Sequence, residues 1–182
     1  MIVAIDPGPT VSGVVFYDHD KQRVVTARSD LENVIVLTML TTPYPFASTS
    51  ELVIEQVVSY GKPVGVEVFE TVFWTGRFAQ AWDTLRPRPC VRIPRRDVCR
   101  HLCNSSRGVG DPEVRQALID RFGPGRDVAI GRKAAPGPLY EVRKHAWAAL
   151  AVAVTHADTR VDAGRAAREE PRSLAGLPPT AL

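Results

Sequence analysis

Residues 2–5 (IVAI) form a short, wholly apolar run, and residues 11–17 (VSGVVFY) a second one rich in β-branched and aromatic side chains. The Asp-Pro-Gly turn between them predicts a β-hairpin. Residues 23–29 (RVVTARS) alternate well enough for a third, more exposed strand, and Asp30 is the expected N-cap of a helix through LENVIVLTML. TTPYPFASTS interrupts the pattern. Residues 51–57 (ELVIEQV) then give a β-branched run without turn residues, as expected for a central strand covered by helices on both faces.

SYGKPVG reads as a loop. Over residues 66–85, Phe69, Val72, Phe73, Gly76, Ala79 and Leu85 recur at helical spacing and predict a long amphipathic helix with an interior glycine. Residues 90–93 predict a short strand, residues 94–103 a short basic helix, and NSSRGVG a flexible loop. Asp111 is the expected N-cap of PEVRQALIDRF, with Pro112 at its first helical position. Residues 123–138 hold four glycines, three prolines and several basic side chains, and read as a mobile cationic loop. Residues 140–158 predict a helix whose polar first turn leads into AWAALAVAV, apolar on every side and therefore buried against the sheet. From residue 159 the alternation of Arg, Ala, Glu and Pro has no apolar stripe, so residues 1–158 are expected to form one domain and 159–182 a disordered tail.

Composition adds little to this α/β pattern. The 182 residues are 45% hydrophobic and 24% charged, and the net charge of +3 points only weakly to a polyanionic partner. No run approaches a membrane span and no leader precedes the first strand, so a cytoplasmic location with no membrane partner is expected. Three cysteines argue against a disulfide framework. Cys99 and Cys103 flank His101 but lack the two-residue knuckle spacing and a second ligand pair, so they read as reduced thiols on a helix rather than a zinc site.

The order of elements allows the first strand and the 51–57 strand to lie side by side and parallel, with their carboxyl ends sharing one crevice. Ligands in open α/β sheets bind at that edge. The acids nearest it are Asp6 and Glu55. Two carboxylates facing each other in a dry crevice repel, and divalent cations remove the conflict while water or phosphate oxygens fill their remaining positions. Two such ions could activate water and stabilise the leaving oxygen of a phosphodiester.

AIDPGPTVSGVVF, LVIEQVV, RRDVCRHL and HAWAALAVAVTHA occur in an order and spacing that resembles RuvC-type Holliday-junction resolvases of the ribonuclease-H-like nuclease superfamily. RQALIDRFG, PGPLY and the terminal helix look most like the phage-encoded RuvC branch. The resemblance implies a ribonuclease-H-like α/β fold, a mixed five-stranded sheet with helices on both faces. It further implies a homodimeric, metal-dependent, structure-selective endodeoxyribonuclease acting on four-way or otherwise branched DNA with two Mg²⁺ or Mn²⁺ ions, in a bacterial or phage-infected cell. By motif position Asp6 and Glu55 carry over as metal ligands. The terminal helix departs from the family pattern: its two ligand positions fall on His145, which can ligate, and Ala148, which cannot. Asp111 is the expected replacement, with Glu141 the alternative, and the imidazole would favour Mn²⁺ more than an all-oxygen cage does.

Arg95, Arg96 and Arg100, then Arg107, then Arg126, Arg132 and Lys133 with Arg143 and Lys144, are the basic groups expected to contact DNA phosphates around that pocket. Bacterial resolvases look to have an aromatic residue three positions beyond the central glutamate; this chain has Val58 there, and Tyr60, with Lys62 beside it, is the expected substitute for stacking on an unpaired base.

Each of these residues also has a plain structural role. Asp6 can begin a turn, Asp111 can cap a helix, His145 can be a hydrogen-bonded core histidine and Glu141 a solvated first-turn acid. Two other functions compete. DPGPT also looks like the phosphate-binding hairpin of the actin, hexokinase and chaperone ATPase group, although this chain makes only one such lobe. The third reading is a non-catalytic DNA-binding protein on a degenerate nuclease fold, which Ala148 favours.

Overall fold

The computed structural model describes residues 1–42, 50–59, 61 and 63–169, with 162–169 described by their backbone alone. The elements, in chain order, are β1 (Ile2–Asp6), β2 (Val11–Asp18), β3 (Arg23–Glu32), α1 (Asn33–Thr41), β4 (Glu51–Gln56), α2 (Val66–Leu85), β5 (Val91–Pro94), α3 (Arg95–Cys103), α4 (Asp111–Phe122), α5 (Arg126–Ala129), β6 (Gly131–Arg132), β7 (Ala135–Pro136) and α6 (Ala146–Glu169). Five strands form one mixed sheet in the order β3-β2-β1-β4-β5. The β1–β2 and β2–β3 pairs are antiparallel, whereas β4 lies parallel to both β1 and β5.

Alternation along the strands splits the core in two. Ile2, Ala4, Val15, Tyr17 and Val53 face α3, α4 and α6, where Ala149 through Val154 are fully buried. Val3, Ile5, Val14, Leu52 and Ile54 face α1 and α2, together with Phe78 and Trp82. Helices thus cover both faces, as the apolar runs of β1 and β4 predict. Burying Phe78 and Trp82 completely contributes about 1.5–3 kcal/mol each, and the Trp82 Nε1–H donates to the Arg88 carbonyl at 2.8 Å, so its polar atom costs nothing.

Several expectations need correction. The buried face of α2 is Thr71, Thr75, Phe78 and Trp82, while Phe69, Val72, Phe73 and Leu85 are exposed. The threonines can point inward because each hydroxyl donates to a carbonyl one turn earlier, Thr71 to Glu67 and Thr75 to Thr71, both at 2.8 Å. Asp30 caps no helix: it stays within β3 at φ +56°, and α1 begins at Asn33. Gly110 takes the N-cap position of α4, its N–H donating to the Glu113 carboxylate at 2.8 Å, which leaves Asp111 as the first helical residue with its side chain free to point elsewhere. Residues 123–138 are not a structureless loop but hold α5 and the β6–β7 hairpin. The last helix begins at Ala146 rather than near Tyr140, because residues 140–145 form turns in which Lys144 has φ +40°, and it runs on to Glu169. Tyr60, Lys62 and residues 170–182 lie outside the described residues.

At the sheet end opposite the Asp6 tip, Glu51 is 7% exposed yet fully paired. It forms ion pairs with Arg88 and Arg160, and His156 Nε2 stands 2.8 Å from its other oxygen. This cluster ties the start of β4 to α6 and to the segment after α2. Among the described residues no helix is long and apolar enough to cross a membrane.

Candidate functional site

Register brings the two strand-tip acids together. Ile5 of β1 pairs with Ile54 of β4, so the next residues, Asp6 and Glu55, stand side by side. Each is two positions beyond a residue of the α6-facing core, Ala4 and Val53, and both therefore emerge on that face. Asp6 is 18% and Glu55 16% exposed at the side chain. Burial pushes the Asp6 carboxyl up to about 7, with Asp111 adding to the rise and Arg95 opposing it. Glu55 is also raised to about 7, first by burial and then by the negative charge of Asp6, again against Arg95. At this tip three carboxylates, Asp6, Glu55 and Asp111, share the guanidinium of Arg95.

His145 reaches the same place from the turn before α6. Its Nδ1 lies 3.4 Å from Asp6 Oδ2 and its Nε2 3.8 Å from Asp30 Oδ1. Two features outside the sequence reading permit this approach. Gly13, the β2 partner of Asp6, has the His145 main chain against it: a Cβ there would fall 2.4 Å from the His145 carbonyl carbon and oxygen. Opposite Gly13 the strand pairing jumps from Ser12↔Leu31 to Val14↔Arg28, so Ser29 and Asp30 form a β-bulge. Through it the Ser29 hydroxyl donates to the Arg143 carbonyl and Asp30 accepts from Lys144 Nζ at 2.6 Å. The glycine carries a sequence signal, being an interior strand glycine; Asp30, before an apolar run, has the pattern of a cap.

The hairpin tip after Asp6 is also fixed. Asn33 Nδ2 donates to the Gly8 carbonyl at 2.9 Å, the Asn33 N–H to the Thr10 carbonyl at 3.0 Å, and the buried Ser12 hydroxyl to Asn33 Oδ1 at 2.7 Å. On the other flank, Arg95 leaves β5 one residue past its end. Its Nη1 lies 3.4 Å from Glu55 Oε2, and its Nη2 donates to Asp111 Oδ1. Asp111 is 92% exposed, held to the site through this guanidinium.

The expected residues divide accordingly. Asp6, Glu55, Asp111 and His145 converge, joined by Arg95, Asp30 and Lys144. Glu141 is exposed in a turn, not on a helix face shared with His145. Arg95 and Lys144, expected to meet DNA, are both turned to carboxylates. Arg100 pairs with Asp97 at 3.3 Å, Arg96 and Arg107 line a second pocket that Arg95 also borders, and Arg132 and Lys133 are exposed on the β6–β7 hairpin. His101, between the two helix cysteines, meets Asp158 at 2.7 Å instead of a metal partner. A cavity of about 710 Å³ opens from Asp6 and His145 between α4 and α6; Arg115, Arg126, Trp147 and Ala148 also line it, the Arg115 guanidinium lying 4.6 Å from the Trp147 ring centre.

Among the described residues no three His, Cys, Asp or Glu side chains close into a complete metal cage. Asp6 and Glu55 nevertheless fit a hard divalent cation, because Mg²⁺ sites typically rest on one or two carboxylates and complete their shell with water and substrate phosphate. Burial that leaves both acids near pH 7 is the cost such an ion removes.

No protein-family model and no curated protein sequence matches the chain. Solved structures do. The chain is similar to Thermus thermophilus RuvC at 20% identity, with a TM-score of 0.55, 88% of this chain covered and 96% of the other. It is likewise similar to T. thermophilus RuvC in complex with a Holliday junction substrate, at 21% identity and a TM-score of 0.57, covering 88% of this chain and 95% of that one. The chain therefore has a RuvC-like, ribonuclease-H-like α/β fold.

Proposed function

We propose that this chain is a metal-dependent, structure-selective endodeoxyribonuclease that hydrolyses phosphodiesters in Holliday junctions or related branched DNA, as a homodimer resembling the phage-encoded RuvC branch. The observation that carries the reading is the side-by-side placement of Asp6 and Glu55 at parallel strand tips with His145 against them. In a RuvC-like fold this pair stands at the sheet edge where α/β ligands bind. Mg²⁺ or Mn²⁺ would be held by Asp6, Glu55 and His145, with Asp111 at the rim, and when bound supplies a water of lowered pKa and charge for the leaving oxygen.

The chain's own residues do the rest. The Asn33 clamp and the Gly13 contact hold Asp6 and His145 in place. Arg126, which lines the cavity, and the exposed Arg96, Arg107, Arg132 and Lys133 give phosphate contacts that orient DNA without reading sequence. The exposed apolar stripe of α2, with Phe69 at 64% and Phe73 at 57% exposure, is the face for a second copy of the chain, since isolated apolar patches of this kind mark interaction surfaces.

Ala148 favours one other reading, a junction-binding protein without catalysis. A Mn²⁺ titration with four-way and linear DNA separates the two. Metal-stimulated cleavage confined to the branched substrate is expected; tight junction binding with no cleavage at any Mn²⁺ concentration would favour the binding protein.

A further inference from the structure

We infer that the site takes one divalent cation rather than two, with the Arg95 guanidinium supplying between Glu55 and Asp111 the positive charge a second ion would supply. The inference rests on the nuclease reading above and names how its site is charged.

Arg95 is placed by backbone. Ile93 of β5 is the register partner of Glu55, and Arg95 opens α3 two residues later, so its side chain starts beside the Glu55 tip. Only 25% of that side chain is exposed, and its two terminal nitrogens meet different carboxylates, Nη1 at 3.4 Å from Glu55 Oε2 and Nη2 on Asp111. A planar guanidinium spanning two acids is a fixed cation with directed N–H groups, not a mobile surface charge.

Charge matching gives the same count. Asp6, Glu55 and Asp111 are three carboxylates against one guanidinium, and Asp30 is already neutralised by Lys144 at 2.6 Å. Arg115 and Arg126 add positive charge along the same cavity, which leaves a place for one divalent ion and not for two. A second ion would add two positive charges next to a guanidinium in a poorly solvated crevice, where like charges repel strongly. Arg95 also lines the cavity that opens from Asp6 and His145, where a guanidinium can donate to a phosphate oxygen as charge develops.

The test counts ions on the full chain, by calorimetric titration with Mn²⁺ and by electron paramagnetic resonance of free Mn²⁺. Wild type is expected to bind one Mn²⁺ per chain. Arg95→Gln, with its fold checked by circular dichroism, is expected to bind two, and Arg95→Lys, which keeps a cation, to stay at one. Two ions on wild type, or a single ion on Arg95→Gln, would overturn the inference and leave the nuclease reading standing. A wild-type chain that binds no Mn²⁺, or an Asp6→Asn chain that binds it as wild type does, would overturn both. If Arg95→Gln fails to fold, the wild-type count alone decides.

Discussion

Gly13 and His145 are in direct main-chain contact: a side-chain carbon on Gly13 would fall 2.4 Å from the carbonyl group of His145. Since Gly13 pairs with Asp6 across β1 and β2, this contact sets how closely the imidazole approaches the Asp6 carboxylate. Gly13→Ala is expected to push the His145 turn outward. Overpacking of this kind costs about 1–3 kcal/mol. Thermal melts should show that loss, and metal-stimulated junction cleavage should fall by more than junction binding does. Unchanged cleavage in a stable Gly13→Ala protein would mean that His145 need not sit where it does.

Asp6 and Glu55 make stability fall as pH rises. Both carboxyls hold their protons to about pH 7 in the folded chain, against ordinary values of 3.8 and 4.5. The folded state therefore binds more protons than the unfolded one between about pH 4 and about pH 7, and stability is lost across that window. Without metal, melts from about pH 5 to about pH 8 should show wild type declining relative to Asp6→Asn, the variant gaining on the order of 2–4 kcal/mol at the upper end. Mn²⁺ should restore wild type at high pH and leave the variant unmoved. Parallel pH profiles for the two proteins would contradict the buried pair.

Glu51 acts in the opposite direction. Burial alone would raise its carboxyl, but the His156 hydrogen bond and the Arg160 charge outweigh that and hold it below its ordinary value. Its contribution is present above about pH 4.5 and lost as pH falls through the lowered folded value. Glu51→Gln leaves Arg88, Arg160 and His156 facing a neutral amide, and because Arg88 is 49% and Arg160 36% exposed the expected loss is about 1–3 kcal/mol, less than for a fully buried pair. Urea unfolding at neutral pH measures this. A loss under about 1 kcal/mol would show that the cluster is solvated like an ordinary surface network.

The α2 stripe separates assembly from folding. Phe73 is 57% exposed and lies away from Phe78 and Trp82, which anchor the helix. Phe73→Glu should shift sedimentation from dimer to monomer while changing stability by no more than about 0.5 kcal/mol. A wild-type chain that sediments as a monomer at high concentration would remove the dimer from the account.

Asp6 and Glu55 were legible in the sequence because strand alternation and parallel pairing are carried by apolar runs, and an acid at the end of such a run stands out. Elements with regular periods, β1, β2, β4 and α2, followed for the same reason. What periodicity could not show was which face of α2 turns inward. Thr71 and Thr75 look polar in a pattern, yet their hydroxyls are satisfied within the helix, so they bury more cheaply than the exposed phenylalanines suggest. Asp30 was misread because Asp before an apolar run resembles a cap, whereas a bulge opposite Gly13 keeps it in β3. Arg95 looked like a DNA contact because its acidic partners, Glu55 and Asp111, are 40 and 16 residues away in sequence. Its ion pairs exist only once β4, β5 and α4 are assembled.

The most direct test of the central claim compares wild type with Asp6→Asn on a labelled four-way junction, measuring binding in the absence of metal and cleavage after addition of Mn²⁺. The account predicts equal binding by both proteins, cleavage by wild type, and none above the metal-free background by the variant. Cleavage by Asp6→Asn at the wild-type rate would contradict it.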